Sequence, residues 1–271
     1  MSYTNFKPTI WSKQIQMDLE KLMVWRDICN TKFQGDAGRG KTVKIIGVSE
    51  PTIKKYVPGT NIAAPETPSD TSMELKIDQY DYFNILVDNV DQAQAHVDVM
   101  RYLLKGGTTK FAETADTYIG SLVKNAKTSV VGDFSTPAKA KATIDEAFVK
   151  LWEAGVKTSR DTFIVLSPAT YSKFKNSMEE SLTNNVQMLE RGIFGYYNGA
   201  TVKMSNNIYN DGTDDYLAVV KKDAITFANG IEETKAYTPE GQFADAVKCL
   251  HTYGAKVVRP EQVVAIKVAN A

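Results

Sequence analysis

A long run of apolar residues at helical spacing, from Asp88 to Thr128, constrains this chain more than any other feature. Apolar side chains recur there every three or four residues, which places them on one stripe of a helix. The members of this stripe are Val90, Ala93, Val97, Met100, Leu104, Phe111, Ala115, Tyr118, Leu122 and Ala126. A helix of about 40 residues is roughly 60 Å long, whereas helices in compact domains usually span ~10–14 residues. The pattern therefore predicts a spine on which other elements lean.

Gly106 and Gly107 interrupt this stripe near its middle. Each glycine costs about 1 kcal/mol relative to alanine inside a helix, because its backbone loses more freedom on folding. We expect the pair either to bend the helix or to divide it into two shorter helices. Gly106 and Gly107 are therefore the candidate hinge of the spine.

The section before the spine predicts a two-stranded hairpin with a long tip. Thr42–Ile46 is rich in β-branched residues and Met73–Ile77 alternates apolar with polar side chains, so both segments are predicted strands. The stretch between them contains four prolines and few large apolar residues. Structureless loops of ~20 residues are uncommon inside compact domains. We therefore expect a lid, a disordered segment or an arm that lies on another subunit. Lys54, Lys55 and Tyr56 lie within this stretch and are suited to contacts with a neighbour's carboxylates.

Thr136 to about Ile231 is predicted to form an α/β sub-domain. Thr136 caps a helix whose first position is Pro137, and Gly155 ends it. The predicted buried stripe of this helix is Ile144, Ala147, Phe148, Leu151 and Trp152. Ser167 and the proline after it open a second helix in the same way. The predicted strands of the sub-domain are Phe163–Leu166, Thr201–Ser205, Tyr216–Val220 and Ala224–Phe227.

The end of the chain is rich in predicted strands. One face of the first strand carries Val247, Cys249, His251 and Tyr253, and this alternation is typical of a half-buried strand. A further strand is predicted between residues 263 and 268. We expect these strands to pair with the strands that precede the spine, and we expect His251 to be a buried core residue.

Charge and composition argue against several classes of protein. Lys plus Arg equals Asp plus Glu, at 32 each, so sequence-specific nucleic-acid binding gains no support. No apolar run approaches the ~20 residues that span a bilayer, and the N-terminus has no signal-peptide pattern. The two cysteines, Cys29 and Cys249, are predicted to be buried thiols. No metal-binding or nucleophile motif is present, so we predict no enzyme activity, metal or cofactor.

One motif points towards a nucleotide site. Gly35–Thr42 matches the P-loop pattern G-x-x-x-x-G-K-T. That motif requires a strand before the loop and a helix after it, because loop amides and the helix N-terminus hold the phosphates. Here a helix-like stretch ends near Cys29, and the β-rich Thr42–Ile46 follows the loop. A glycine-rich turn into a strand is therefore favoured, and nucleotide binding dependent on Lys41 is the alternative.

The order of these elements resembles that of the major capsid proteins of tailed bacteriophages, a fold shared with encapsulins. Several local patterns also look like one coat-protein branch of that family. They are Phe6–Ser12, Gly35–Asp36 leading to Gly40–Ile45, Leu75–Asp78 leading to Val87–Asp91, Phe163–Pro168 and Tyr253–Glu261. The resemblance covers most of the chain, and it rests on the order of these patterns.

The resemblance implies an α+β, tailed-phage major capsid fold with five parts. These are an N-terminal arm at 1–34, an extended E-loop hairpin at 35–80, a peripheral domain with spine helix and β-sheet at 81–135, an α/β axial domain at 136–236, and a return to the peripheral domain at 237–271. The candidate inter-subunit contacts are Ile10, Trp11, Lys54, Lys55 and Tyr56. The chain has no room for the large inserted domain of some relatives, and it lacks a long scaffold-like N-terminal segment.

The function implied is structural. Copies of the chain would form pentamers and hexamers that close into an icosahedral shell around double-stranded DNA, in a virion assembled in the host bacterial cytoplasm. Further implied partners are scaffolding, portal and cement proteins, with non-specific DNA contact and no membrane. An encapsulin-like compartment is the nearer alternative, and a P-loop nucleotide-binding protein is the more distant one.

Overall fold

The structure is a computed structural model, and it combines helices with three β-sheets. It describes residues 23–32, 42–48, 52–56, 58–59, 61, 64–65, 70–88, 99–179, 195–241 and 244–269. The helices are α1 (Val99–Ser121), α2 (Pro137–Glu153) and α3 (Pro168–Glu179), with short 3-10 helices at Arg26–Ile28, Leu122–Asn125 and Pro260–Gln262. The strands are β1 (Thr42–Val48), β2 (Asp70–Lys76), β3 (Gln79–Asp88), β4 (Thr128–Gly132), β5 (Thr162–Leu166), β6 (Tyr196–Tyr197), β7 (Ala200–Met204), β8 (Tyr209–Asn210), β9 (Asp214–Lys221), β10 (Ile225–Tyr237), β11 (Ala244–Val257) and β12 (Val263–Ala269).

The strands form a hairpin, a three-stranded sheet and a seven-stranded sheet. In the hairpin, β1 pairs antiparallel with β2 from Thr42 opposite Lys76 to Val48 opposite Asp70, so the predicted hairpin is confirmed over these residues. The three-stranded sheet has the order β10-β11-β3. The seven-stranded sheet has the order β4-β12-β9-β5-β7-β6, and β8 pairs with β9.

Helix α1 runs unbroken through Gly106 and Gly107, so the predicted division into two helices is wrong. Its 23 residues span roughly 35 Å. The predicted extension back to Asp88 falls partly on residues 89–98, which lie outside the described residues. Towards the other end the α-helix stops at Ser121, where a 3-10 turn begins. The helix is therefore shorter than predicted within the described part of the chain.

Aromatic side chains fill the space between α1 and the inner face of the three-stranded sheet. The rings of Phe83 on β3 and Phe111 on α1 have centroids 4.9 Å apart. Tyr118 on α1 meets Tyr253 on β11 edge to face at 5.6 Å, a geometry that aromatic pairs favour. The predicted stripe residues Leu104, Phe111 and Ala115 are buried here, whereas Tyr118 and Leu122 are half-buried.

Helix α2 begins and packs largely as its sequence predicts. The Thr136 hydroxyl accepts a hydrogen bond from the Lys139 N–H, with proline at the first helical position. The predicted residues Ile144, Ala147, Phe148 and Leu151 are fully buried. Trp152 was predicted to join them, but it is 46% exposed. Trp152 lies four residues after Phe148 and its ring is 5.8 Å from the Phe148 ring, so it stands at the edge of the buried stripe and is only partly covered.

The last strand takes a different partner from the one predicted. β12 does not pair with the strands that precede α1; it lies between β4 and β9 in the seven-stranded sheet. The side chains of residues 263–266 are all nearly inaccessible to solvent, as in a strand covered on both faces. Such a strand belongs in the interior of a sheet. The segment Val130–Ser135, predicted to be a connection, contains most of its partner β4.

Strand β10 also differs from its predicted placement. The sequence assigned Ala224–Phe227 to the α/β sub-domain, yet β10 pairs antiparallel with β11 along the three-stranded sheet. β11 in turn pairs with β3, from Ala244 opposite Asp88 to Tyr253 opposite Gln79. The predicted return of the chain to the strand before the spine is therefore made by β11 and not by β12.

His251 and both cysteines are buried, as the sequence predicted. The His251 ring stacks on the Tyr253 ring with centroids 4.9 Å apart, and it also lies 5.7 Å from the Phe111 ring. Burial lowers the pKa of His251 to about 4, although the nearby Asp81 carboxylate acts in the opposite direction. This imidazole is therefore neutral at physiological pH.

The two glycines of α1 predict opposite effects of substitution by alanine. A Cβ at Gly107 would lie 2.9 Å from the Phe83 ring, whereas a Cβ at Gly106 would meet nothing within 4 Å. We expect Gly107→Ala to lower the free energy of unfolding by roughly 1–3 kcal/mol through overpacking. Gly106→Ala should raise it by up to about 1 kcal/mol through helix propensity. Urea denaturation of the matched pair measures both values, and equal effects would contradict the close packing at Gly107.

The buried His251 predicts a specific acid sensitivity. Because its pKa is lower in the folded state than the ordinary 6.5, its contribution to stability is present above pH 6.5 and is lost as the pH falls towards 4. The loss is at most about 3 kcal/mol. Between pH 7 and pH 4, we expect the free energy of unfolding of the wild type to fall relative to that of His251→Phe by up to about 3 kcal/mol. A difference that does not vary with pH in urea titrations would show that His251 is not the group responsible.

Candidate assembly surfaces

The tip of the β1–β2 hairpin presents an exposed run of apolar and basic side chains. Residues 52–56 are all exposed and adopt no helix or strand. Ile53 is 95% exposed and Tyr56 65% exposed, and between them lie the predicted contact residues Lys54 and Lys55. The structure thus brings three of the predicted contact residues together in one segment. The other two, Ile10 and Trp11, lie outside the described residues.

A cleft of about 470 Å³ opens between β3 and α1. It is lined by Tyr80, Asp81, Tyr82, Phe83, Gly106, Gly107, Lys110, Phe111 and Thr114. Tyr82 is 77% exposed and Tyr80 53% exposed at its rim. Strand β3 is also the last strand of its sheet within the described residues. Apolar rings and a sheet edge together make this side of the subunit suitable for contact with another polypeptide.

The segment from Met23 to Asn30 is fastened into the core. Trp25, Ile28 and Cys29 are almost completely buried. Asn30 bonds to β10 through its backbone: its N–H donates to the Ile225 carbonyl at 2.8 Å, and its carbonyl accepts from the Phe227 N–H at 3.1 Å. The chain preceding Met23 therefore starts from a fixed position on the subunit.

Asp116 on α1 is the central group of this attachment, and it has no exposed surface. Its carboxylate accepts hydrogen bonds from the backbone N–H groups of Trp25 at 2.7 Å and Val24 at 3.3 Å. It also accepts one from the Asn207 side-chain amide at 3.2 Å. The Trp25 indole N–H donates to the Asn207 carbonyl at 3.0 Å, which closes a circuit between the segment, α1 and the loop before β8.

The sequence indicates that Asp116 is buried, but the helical spacing of its neighbours does not identify its hydrogen-bond partners. Asp116 directly follows Ala115 on the apolar stripe and stands four residues after the buried Ala112 and three before the buried Ile119. A carboxylate flanked at helical spacing by buried residues must be buried and must be hydrogen-bonded. Its donors, however, come from residues about 90 positions away in sequence, and no local pattern identifies them.

Other kinds of site find no support in the described residues. Thr42 opens a strand of an antiparallel hairpin, so the helix that a P-loop requires after its threonine is not there; residues 33–41 lie outside the described part. Within the described ranges, no cluster of three or more His, Cys, Asp or Glu side chains could hold a metal ion. No described helix is long and apolar enough to cross a membrane.

Solved structures of phage particles resemble this chain over nearly its whole length. A chain of Mycobacterium phage Che8 is 27% identical, with a TM-score of 0.78 over 90% of this chain and 90% of that chain. A chain from the capsid of cyanophage P-SCSP1u has a TM-score of 0.65 at 16% identity, over 86% of this chain and 85% of that one.

A virus-like particle from Pyrococcus furiosus is also similar, with a TM-score of 0.61 at 11% identity over 95% of this chain and 98% of that chain. No protein-family model and no curated protein matches the sequence. The chain therefore has the fold of the major capsid proteins of tailed bacteriophages, which the virus-like particle from Pyrococcus furiosus shares, and the resemblance to this fold is confirmed.

Proposed function

We propose that this chain is the coat subunit of a tailed-phage head, which assembles through pentamers and hexamers into an icosahedral shell around double-stranded DNA. The observation that carries this proposal is the likeness to the phage Che8 chain, which covers 90% of each chain at 27% identity. At that coverage only about a tenth of each chain is left out of the match. The likeness does not depend on one motif.

The proposed mechanism is the repetition of modest contacts by symmetry. Single apolar residues on a protein surface are ordinary, but Ile53, Tyr82 and Val131 are between 77% and 95% exposed. Covering apolar area releases about 25 cal/mol per Å², and in a closed shell the same contact is made by every subunit. The hairpin tip would lie on a neighbouring subunit, where Lys54 and Lys55 are suited to pairing with carboxylates.

The charge balance supports a shell that approaches its own copies closely. With 32 cationic and 32 anionic side chains, the subunits carry no large net repulsion. Contact with packaged DNA would be local and independent of sequence. Scaffolding, portal and cement proteins complete the proposed set of partners, with assembly in the host bacterial cytoplasm. The domain division proposed from the sequence is retained, except that β4 and β12 belong with the seven-stranded sheet and β10 with the three-stranded sheet.

An encapsulin-like compartment is the second candidate function. The Pyrococcus furiosus particle favours it, because that likeness covers 95% of this chain. The identity is only 11%, against 27% for the phage Che8 chain, and for this reason we place the phage coat first. Particles purified from the source cells separate the two functions, since one would contain nuclease-protected double-stranded DNA and the other a cargo protein.

Electron microscopy of the purified chain is the direct test of assembly. We expect closed shells or rings of five and six subunits in negative stain, with a matching mass by light scattering. A coat subunit without its scaffolding protein can stay unassembled, so the contradicting result is a protein that stays monomeric at high concentration and also shows saturable ATP binding dependent on Lys41. Nucleotide titration is the accompanying control, and we expect no saturable ATP binding that depends on Lys41.

The hairpin tip predicts a variant that folds but assembles poorly. Lys54→Glu with Lys55→Glu reverses two exposed charges, and exposed substitutions usually change stability by less than about 0.5 kcal/mol. We expect the concentration needed for assembly to rise at least ~10-fold, which corresponds to about 1.4 kcal/mol per contact. Lys157→Glu with Lys222→Glu, which reverses two exposed charges outside the hairpin, is the matched control. Equal assembly of both variants in light-scattering titrations would remove the hairpin lysines from the contact.

A further inference from the structure

The attachment of the N-terminal segment depends on one buried ionisable group. Asp116 has no solvent-exposed surface, yet its two oxygens receive three hydrogen bonds, from Trp25, Val24 and Asn207. These donors belong to two separate parts of the chain, and α1 supplies the acceptor. A change in the charge of this carboxyl therefore alters the contact between all three elements at once.

The ionised form of Asp116 is incompletely compensated. Burial raises the pKa of this carboxyl to about 6, against the lowering effect of the hydrogen bonds from Asn207 and from the backbone of the segment. Removing a carboxylate from water is expensive, and neutral amide donors return only part of that free energy. The attached state thus binds a proton more tightly than a solvated aspartate does.

The surrounding elements carry few groups that could take over this role. Titratable residues on them include Arg26, Asp27 and Cys29 on the segment, Lys110, Glu113 and Tyr118 on α1, Lys203 on β7 and Tyr209 on β8. Asp27 is paired with Lys203 at 3.2 Å, and Glu113 with Lys110 at 2.6 Å. Burial raises the pKa of the Cys29 thiol, so this thiol stays neutral at and below physiological pH.

We propose that protonation of Asp116 controls how firmly the segment Met23–Cys29 is attached to the subunit, and that the attachment is firmer with the carboxyl neutral than with it charged. The sign follows from linkage: a proton that binds more tightly to the attached state stabilises that state. The attachment is strongest below about pH 4, the ordinary pKa of a solvated aspartate, and it weakens as the pH rises from there through 6.

This device goes beyond the proposed function and does not depend on it. Residues 1–22 precede the attached segment in sequence. The charge on Asp116 therefore sets how readily the segment Met23–Cys29 can be detached from the subunit body. At neutral pH the charged carboxylate still binds the segment through hydrogen bonds, but the free energy of attachment is smaller. A partner that binds the segment therefore needs less free energy to detach it.

Amide hydrogen exchange of the full chain tests the proposal. The measured quantity is the protection of the Val24 and Trp25 N–H groups, corrected for the intrinsic pH dependence of exchange. A carboxyl with a pKa of about 6 when attached, and ~3.9 when solvated, predicts about tenfold greater protection at pH 5.0 than at pH 7.5. Unfolding of the whole chain would move protection the other way, because acid weakens the fold through His251.

Three variants make the test specific. Asp116→Asn cannot ionise, so its protection should change by less than about twofold between the two pH values. Asp27→Asn, which alters an exposed carboxylate on the same segment, should keep the tenfold change. Asn207→Ala removes one donor from the carboxylate and should move the midpoint to higher pH, which retains a test if Asp116→Asn does not fold. Unchanged or lower wild-type protection at pH 5.0, or a tenfold change in Asp116→Asn, would overturn the proposal.

Discussion

The rest of the subunit depends on the seven-stranded sheet, because its central strands are buried on both faces and separate two hydrophobic cores. Along β12, Val263 and Ala265 face the core shared with α1 and the three-stranded sheet. Val264 and Ile266 face the core beneath α2 and α3. β9 divides its side chains in the same way. Each fully buried valine or isoleucine contributes about 1.5–3 kcal/mol, so the two cores are coupled through one sheet.

Because this sheet and its two cores stabilise the subunit, the exposed elements can be specialised for contact. The hairpin of β1 and β2 has its own small core of Val43, Ile45, Leu75, Ile77 and Ala228, which joins its base to β10. Its tip adds nothing to the folded core, since residues 52–56 are exposed. Stability therefore comes from the body of the subunit, and the tip is free to vary with the requirements of a neighbour.

Local signals were predictable from the sequence; of the long-range pairings, the return of β11 to β3 was expected, whereas the partners of β10 and β12 were not. Thr136 and Pro137 start α2 as predicted, because a cap and a first-turn proline act within four residues. The run Val263–Ile266 has no alternation, so its sequence indicates double burial without naming a partner strand. Trp152 has the spacing of a buried residue, yet it packs at the edge of the core against Phe148 and stays 46% exposed. The contacts of Asp116 span about 90 residues, a distance over which no spacing rule applies.

Asp116 and His251 place two titratable groups of opposite behaviour against the same helix. Burial disfavours the charged form of each, so it raises the pKa of the acid and lowers the pKa of the base. Acidification consequently strengthens the attachment at Asp116 while it weakens the packing around His251. Near neutral pH both effects are reversed. The aromatic layer between α1 and the three-stranded sheet is then at its most stable, and the segment Met23–Cys29 is held least firmly. Detaching the segment would uncover Trp25, Ile28 and Cys29, which belong to the same core as Phe111 and Tyr253, so the attachment at Asp116 and the packing around His251 are coupled through one apolar cluster.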